Sequence, residues 1–112
     1  MDGGSASTSD RYDQRLIAAA QALNKKDLPV AEAVLRELLK HDPFEVRAIR
    51  MLAELAGRLG RYRDAEALLR RTLELSPDFT AARSNLALVL YRTNRPGEAI
   101  EELQRVKSEE PD

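Results

Sequence analysis

Arg47, Arg50, Glu54 and Arg58 follow one another at steps of three and four residues. That spacing puts all four on one face of an α-helix. Guanidinium forks on such a face can grip carboxylates through paired hydrogen bonds. The chemistry on offer is recognition of an acidic segment or a chain-terminal carboxylate. A plainer use is open to the same residues. Arg50–Glu54 and Glu54–Arg58 are i,i+4 pairs that would simply decorate a solvated helix. Bond-making chemistry finds less support. One histidine and no cysteine exclude a thiolate nucleophile, a thiolate metal site and a disulfide framework. The chain has no Gly-rich phosphate loop, nucleophile elbow or His–Asp–Ser set. Glu101-Glu102 and Glu109-Glu110 are sequence neighbours, and neighbours diverge by about 100° around a helix. Neither pair converges on a substrate atom. His41 falls at a helix end, where a cation is mildly favoured by the dipole. The expectation is a non-enzymatic segment with no cofactor and no metal.

Elements able to carry such a face must be helical. Leu and Ala fill 33 of 112 positions, and Val with Ile only 8. Helix formers dominate and β-branched residues are scarce, which points to an all-α fold. No apolar run approaches the roughly 20 residues that span a bilayer. The 18 basic residues against 19 acidic ones give no basic excess for nucleic acid or anionic lipid. Residues 1–10, MDGGSASTSD, read as a flexible tail. They lack the basic and apolar regions of a secretory signal, so the expected location is cytoplasmic.

The strongest organising signal is a period. Pro43, Pro77 and Pro111 are 34 residues apart, as are Ala31, Ala65 and Ala99, and Leu35, Leu69 and Leu103. Leu52-Ala53 and Leu86-Ala87 keep the same register, with Ala18-Ala19 ahead of them. Each unit reads as two helices, giving repeats over about 12–45, 46–79 and 80–112. The expected helices are 11–24, 29–40, 44–59, 63–75, 79–92 and 96–108. Asp42-Pro43 and Ser76-Pro77 read as an N-cap followed by proline at the first helical position, with Glu45 completing a capping box. Gly60 and Asn94 suit left-handed turns, with Lys26 in the same place in the first unit. The recurrent alanines let paired helices approach, and Leu35, Leu69 and Leu103 should fill the layer beneath. A hairpin of this kind cannot bury its apolar face alone, so hairpins stack.

The middle unit, with Leu52-Ala53, Gly60-x-Tyr62, Ala65, Leu69 and Pro77, resembles a tetratricopeptide repeat, and so does the third, with Leu86-Ala87, Ala99, Leu103 and Pro111. The first unit is degenerate, and Arg15, Ile49 and Arg83 stand where an aromatic often opens the first helix. The resemblance implies a right-handed α-solenoid of three helix-turn-helix repeats that acts as a protein–protein interaction scaffold. It implies a concave groove lined by the first helix of each repeat: Asp13, Leu16, Ile17, Ala20 and Leu23; then Arg47, Arg50, Met51, Glu54 and Arg58; then Ala81, Ser84, Asn85, Leu88, Tyr91 and Arg92. From these, Arg47, Arg50, Glu54, Arg58, Asn85, Leu88, Tyr91 and Arg92 are the candidate partner-binding residues. Chaperone-binding members of the family clamp a terminal carboxylate with Lys, Asn and Arg. The matching positions here are Leu16, Ala20, Met51, Ala81 and Asn85, which do not supply that set. Tyr62 should pack at a helix–turn junction, and Phe44 and Phe79 where repeats meet.

Charge is polarised along the chain. Residues 47–71 hold seven Arg against three acids, and residues 98–112 hold six acids against two bases. An acidic protein or peptide partner fits the first stretch. Two other uses stay open. The wording of Leu59–Leu103 resembles bacterial arrays that precede a sulfotransferase domain, which implies an accessory arm of a larger enzyme. Self-association through exposed Leu16, Ile17 and Leu23 is the other. Pro111-Asp112 reads as the opening of a further repeat. Yet Glu102 and Lys107, where other repeats have Val34 or Leu68 and Leu39 or Leu73, read as an outer face turned to water.

Overall fold

In the computed structural model, six helices follow in order: α1 (Thr8–Asn24), α2 (Leu28–His41), α3 (Val46–Arg58), α4 (Tyr62–Leu75), α5 (Thr80–Arg92) and α6 (Pro96–Glu109). Residues 8–109 are described, with side chains from Gln14 onward. Most of the expected tail therefore lies outside the described residues. Helix α1 starts three residues before the expected position.

The turns carry the period most faithfully. Lys26, Gly60 and Asn94 all adopt left-handed backbone, with φ of 63°, 76° and 65°. Around each, one amide bond closes over the turn: Asp27 N–H to Ala22, Arg61 N–H to Ala56 and Arg95 N–H to Leu90, all at 2.8 Å. A second bond joins Lys26 to Leu23, Gly60 to Gly57 and Asn94 to Tyr91, at 3.0–3.1 Å. These paired bonds satisfy the orphan carbonyls at a helix end and reverse the chain in three residues. Paired helices are then antiparallel neighbours.

The links between repeats depart from expectation. Pro43 and Pro77 do not open helices. Asp42 and Ser76 are the C-caps of α2 and α4, and α3 and α5 begin only at Val46 and Thr80. Glu45 N–H bonds Asp42 C=O and Phe79 N–H bonds Ser76 C=O, so Asp-Pro and Ser-Pro start β-turns with proline second. An acceptor residue followed by proline is as favourable a turn opening as a helix cap. The capping box is replaced as well. Glu45 is itself the N-cap of α3, accepting from Arg47 N–H at 3.1 Å.

Side chains on the facing stripes build a continuous core. Ala31, Ala65 and Ala99 are buried, as are Ala19, Ala53 and Ala87, so small residues meet at every hairpin. Leu35 and Leu69 are fully buried beneath them, each contributing roughly 1.5–3 kcal/mol of burial. Core clusters join α1, α2 and α3, and then α3, α4, α5 and α6. The stack extends 54 × 34 × 22 Å, the shape of a short solenoid rather than a ball.

The last hairpin breaks the pattern. Leu103 is 50% exposed, unlike Leu35 and Leu69, because no further described helix covers α6. Ile100 is also exposed, leaving Ala99 as the buried residue of α6. Glu102 does not simply face water. It meets Arg83 at 3.0 Å, and both side chains are largely enclosed. The middle repeat has Ile49 and Leu68 at the equivalent places, so an ion pair stands in for an apolar pair. Arg83 also donates to Pro77 C=O at 2.6 Å. Phe44 is 62% exposed rather than packed between repeats, with the Arg71 guanidinium 5.7 Å from its ring centre. Phe79 does pack against the core, beneath Arg50.

Candidate partner-binding groove

Helices α3 and α5 lie side by side as the first helices of their hairpins, and a pocket of about 550 Å³ opens between them. Its apolar walls come from Ala53, Leu69, Leu88 and Val89, joined by the Tyr62 side chain. Glu54, Arg58, Asn85 and Arg92 form the polar part. Five of the eight candidate residues therefore converge: Glu54, Arg58, Asn85, Leu88 and Arg92. Tyr62 performs two tasks, as the first residue of α4 against the core and as a pocket wall.

Arg50 does not line the pocket but contacts two residues that do. Its Nη1 donates to Asn85 Oδ1 at 3.2 Å, and it lies 3.7 Å from Glu54 and 5.7 Å above the Phe79 ring. Arg58 donates to Glu54 at 2.6 Å and to the Leu23 carbonyl at 2.7 Å. Arg50 and Arg58 thus staple successive first helices to one another, and Glu54 sits between them. The i,i+4 pairs expected of a plain helix face are present, with cross-repeat bonds added. Arg47 stands apart, turned onto Glu45 at 2.8 Å. Arg47 holds the Glu45 carboxyl below its ordinary range despite partial burial. Tyr91 is exposed and lies outside the pocket lining.

The first hairpin contributes less to the groove than expected. Leu16 and Leu23 are buried in the core rather than exposed, although Leu23 still edges a second pocket with Asn24, Lys26, Leu28 and Arg58. Ile17 alone of the three is exposed, at 57%. Asp13 falls outside the described side chains. Met51 packs half-buried against two core clusters, while Ala81 is exposed. His41 ends α2 with Nε2 3.0 Å from Glu37.

Sequence reasoning missed Gly57, which lines the pocket from inside α3. A Cβ built there would meet nothing within 4 Å. The available signal was the 34-residue register, which sets Gly57 against Leu23 and Tyr91. It also missed the outer-face network. Arg95 meets Glu66 at 2.7 Å and Glu98 at 2.6 Å, and Arg70 meets Glu66 at 2.9 Å. Burial raises the Glu66 carboxyl, but the two arginines outweigh it and leave it below the ordinary range. Among the described residues, no group of three or more His, Cys, Asp or Glu could hold a metal ion. No helix among the described residues is long and apolar enough to cross a membrane.

Comparison with solved structures returns helical repeat proteins. The Thermobaculum terrenum O-GlcNAc transferase superposes with a TM-score of 0.86 at 28% identity, over 90% of this chain and 19% of that one. This chain therefore spans about a fifth of that enzyme's length. The TPR2B domain of yeast Sti1, in a complex with pHsp70, gives 0.81 at 20% identity over 88% of this chain and 78% of that one. A chain of the CopN–Scc3 complex gives 0.78 at 19% identity, over 93% and 61%. No curated protein sequence matches the chain. The family model for the tetratricopeptide repeat matches residues 50–112. That match covers more than half the sequence and includes the whole pocket, and the chain belongs to the tetratricopeptide repeat family.

Proposed function

We propose that this chain is a non-catalytic interaction scaffold that captures an acidic segment of a protein partner in the groove between α3 and α5. The observation that carries the reading is the pocket itself, where five of the candidate residues converge on an apolar floor. Convergent polar groups over apolar walls are the ordinary form of a recognition site. The arginine-rich stretch supplies the sign of the charge. Arg92 and Asn85 are the primary contacts and Leu88 the apolar plate, with exposed Tyr91 beyond the pocket lining. Arg50, Glu54 and Arg58 shape the site while holding the repeats together. Arg47 sits at its margin.

The test is an array of immobilised acidic, neutral and basic peptides probed with wild type and with Arg92→Glu. Acidic peptides should be retained by wild type, lose retention as salt rises, and be lost by the variant. Equal retention by both proteins would remove the groove from consideration. A second reading is an accessory arm of a larger enzyme. It is favoured by 28% identity to a transferase over most of this chain. The activity would then lie outside these residues, and the groove would position a substrate protein or a neighbouring domain.

A further inference from the structure

Two neighbouring departures from the repeat pattern meet in the pocket. The first concerns charge. Arg58 and Arg92 are equivalent by 34 residues, and so are Glu54 and Leu88. Arg58 is paired with Glu54 one turn earlier. Arg92 has Leu88 there instead, and makes no ion pair or hydrogen bond among the described residues. Leucine in place of glutamate leaves one guanidinium on the pocket rim unneutralised. The second concerns space. Leu23, Gly57 and Tyr91 are equivalent, and only the middle repeat lacks a side chain. Gly57 sits inside α3 and is not among the residues with positive φ. No turn requires it, and glycine weakens a helix relative to alanine. The space left open is part of the pocket, next to Ala53, Leu69 and Val89.

We infer that the pocket takes one large apolar side chain of the partner, seated over Gly57, with a carboxylate of the same segment on Arg92. The partner is thus an acidic segment carrying a bulky apolar anchor, and Gly57 sets the size of that anchor. This rests on the groove reading above. The volume of about 550 Å³ leaves room for backbone as well as the anchor. Leu88 acts twice, as a wall for the anchor and as the replacement that frees Arg92.

The experiment is an NMR titration of the ¹⁵N-labelled protein at millimolar probe. The probes are acetylated, amidated peptides in which Leu and Asp are separated by zero, one or two glycines. Counterparts carry Ala for Leu or Asn for Asp. A Leu/Asp probe should shift the Gly57 and Arg92 amides, and each counterpart should bind about tenfold more weakly. Gly57→Leu should erase the preference for Leu over Ala while the preference for Asp over Asn persists. Gly57→Ala should reduce it in part. Leu88→Glu should erase the Asp preference by giving Arg92 an internal partner. Equal binding of Leu and Ala probes to wild type would overturn the anchor and leave the acidic-groove reading standing. Equal binding of Asp and Asn probes would overturn the acidic reading and this inference with it. No shift with any probe would overturn both.

Discussion

Replacing Lys26 with glycine is expected to stabilise the protein by about 0.5–1 kcal/mol. Lys26 adopts φ 63° at the turn between α1 and α2. A residue with a Cβ is disfavoured in that region by roughly 1–2 kcal/mol. Glycine avoids that penalty but gives up about 0.5–1 kcal/mol of extra unfolded-state entropy. The remainder is the expected gain. Nothing offsets it from the side chain, which is exposed and makes no hydrogen bond or ion pair among the described residues. The backbone bonds that fix the turn, 3.0 Å from Lys26 N and 2.8 Å from Asp27 N, survive the change. Gly60→Lys is the mirror experiment. A Cβ at Gly60 meets nothing within 4 Å, so its cost is purely conformational and should match in size with opposite sign. The assay is urea unfolding followed by helical circular dichroism, compared at a shared m value. A gain of this size raises the melting midpoint by about 2–8 °C in a domain near 100 residues. If Lys26→Gly is neutral or worse while Gly60→Lys is harmless, the equivalence of the two turns fails.

Glu102→Leu alone should destabilise by about 1.5–3 kcal/mol, because it removes the closer carboxylate from the enclosed Arg83 guanidinium and leaves it only Glu109 at 3.7 Å and the Pro77 carbonyl. The double variant Arg83→Ile with Glu102→Leu copies Ile49 and Leu68, and should return urea stability to within about 1 kcal/mol of wild type or above. Ala65→Leu should cost about 1–3 kcal/mol by overpacking the fully buried core position it holds, read from the same curves. Gly57→Ala should stabilise by up to about 1 kcal/mol, since its Cβ meets open space. Acid should also weaken the fold. Glu45, Glu66 and Glu98 are depressed below the ordinary 4.5 in the folded state. Their contribution is complete above that value and disappears as pH falls through the lower folded values. Glu66→Gln should flatten the acid limb of urea midpoint against pH, and an unchanged limb would exclude Arg70 and Arg95 as its origin.

The repeat architecture was legible because burial and turn geometry act at fixed intervals. Ala31, Ala65 and Ala99 announce a close helix approach, and Gly60 with Asn94 announce left-handed turns. Even Lys26, a poor residue for that conformation, follows the register, so tertiary packing overrides local preference there. The links at Pro43 and Pro77 were misread because an oxygen-bearing residue before proline serves a helix cap and a β-turn equally well. What separates the two is where the next helix must start to meet its neighbour, and local sequence does not state that. The fate of Leu16 and Leu23 was misread for a related reason. The apolar side chains at these places join the core with α2 and α3, whereas their equivalents Arg50 and Gly57 do not.

The arginine row teaches the sharper lesson about site prediction. Four charged residues at helical spacing look like one binding surface, yet each must first answer to its neighbours in the fold. Arg50 answers to Asn85, Glu54 and the Phe79 ring; Arg58 answers to Glu54 and the Leu23 carbonyl. Arg47 answers to Glu45. Among the candidate arginines, the one without an ion pair or hydrogen bond among the described residues is Arg92, outside that run, and position 88 beside it holds leucine where Arg58 has Glu54. In a repeat protein, the informative comparison is therefore between equivalent positions. A partner that answers to Arg92 must supply the carboxylate that Glu54 supplies one repeat earlier. It must then fill the space that Leu23 fills one repeat before Gly57. Both demands fall on the lining of one pocket, which is why a single short segment can meet them together.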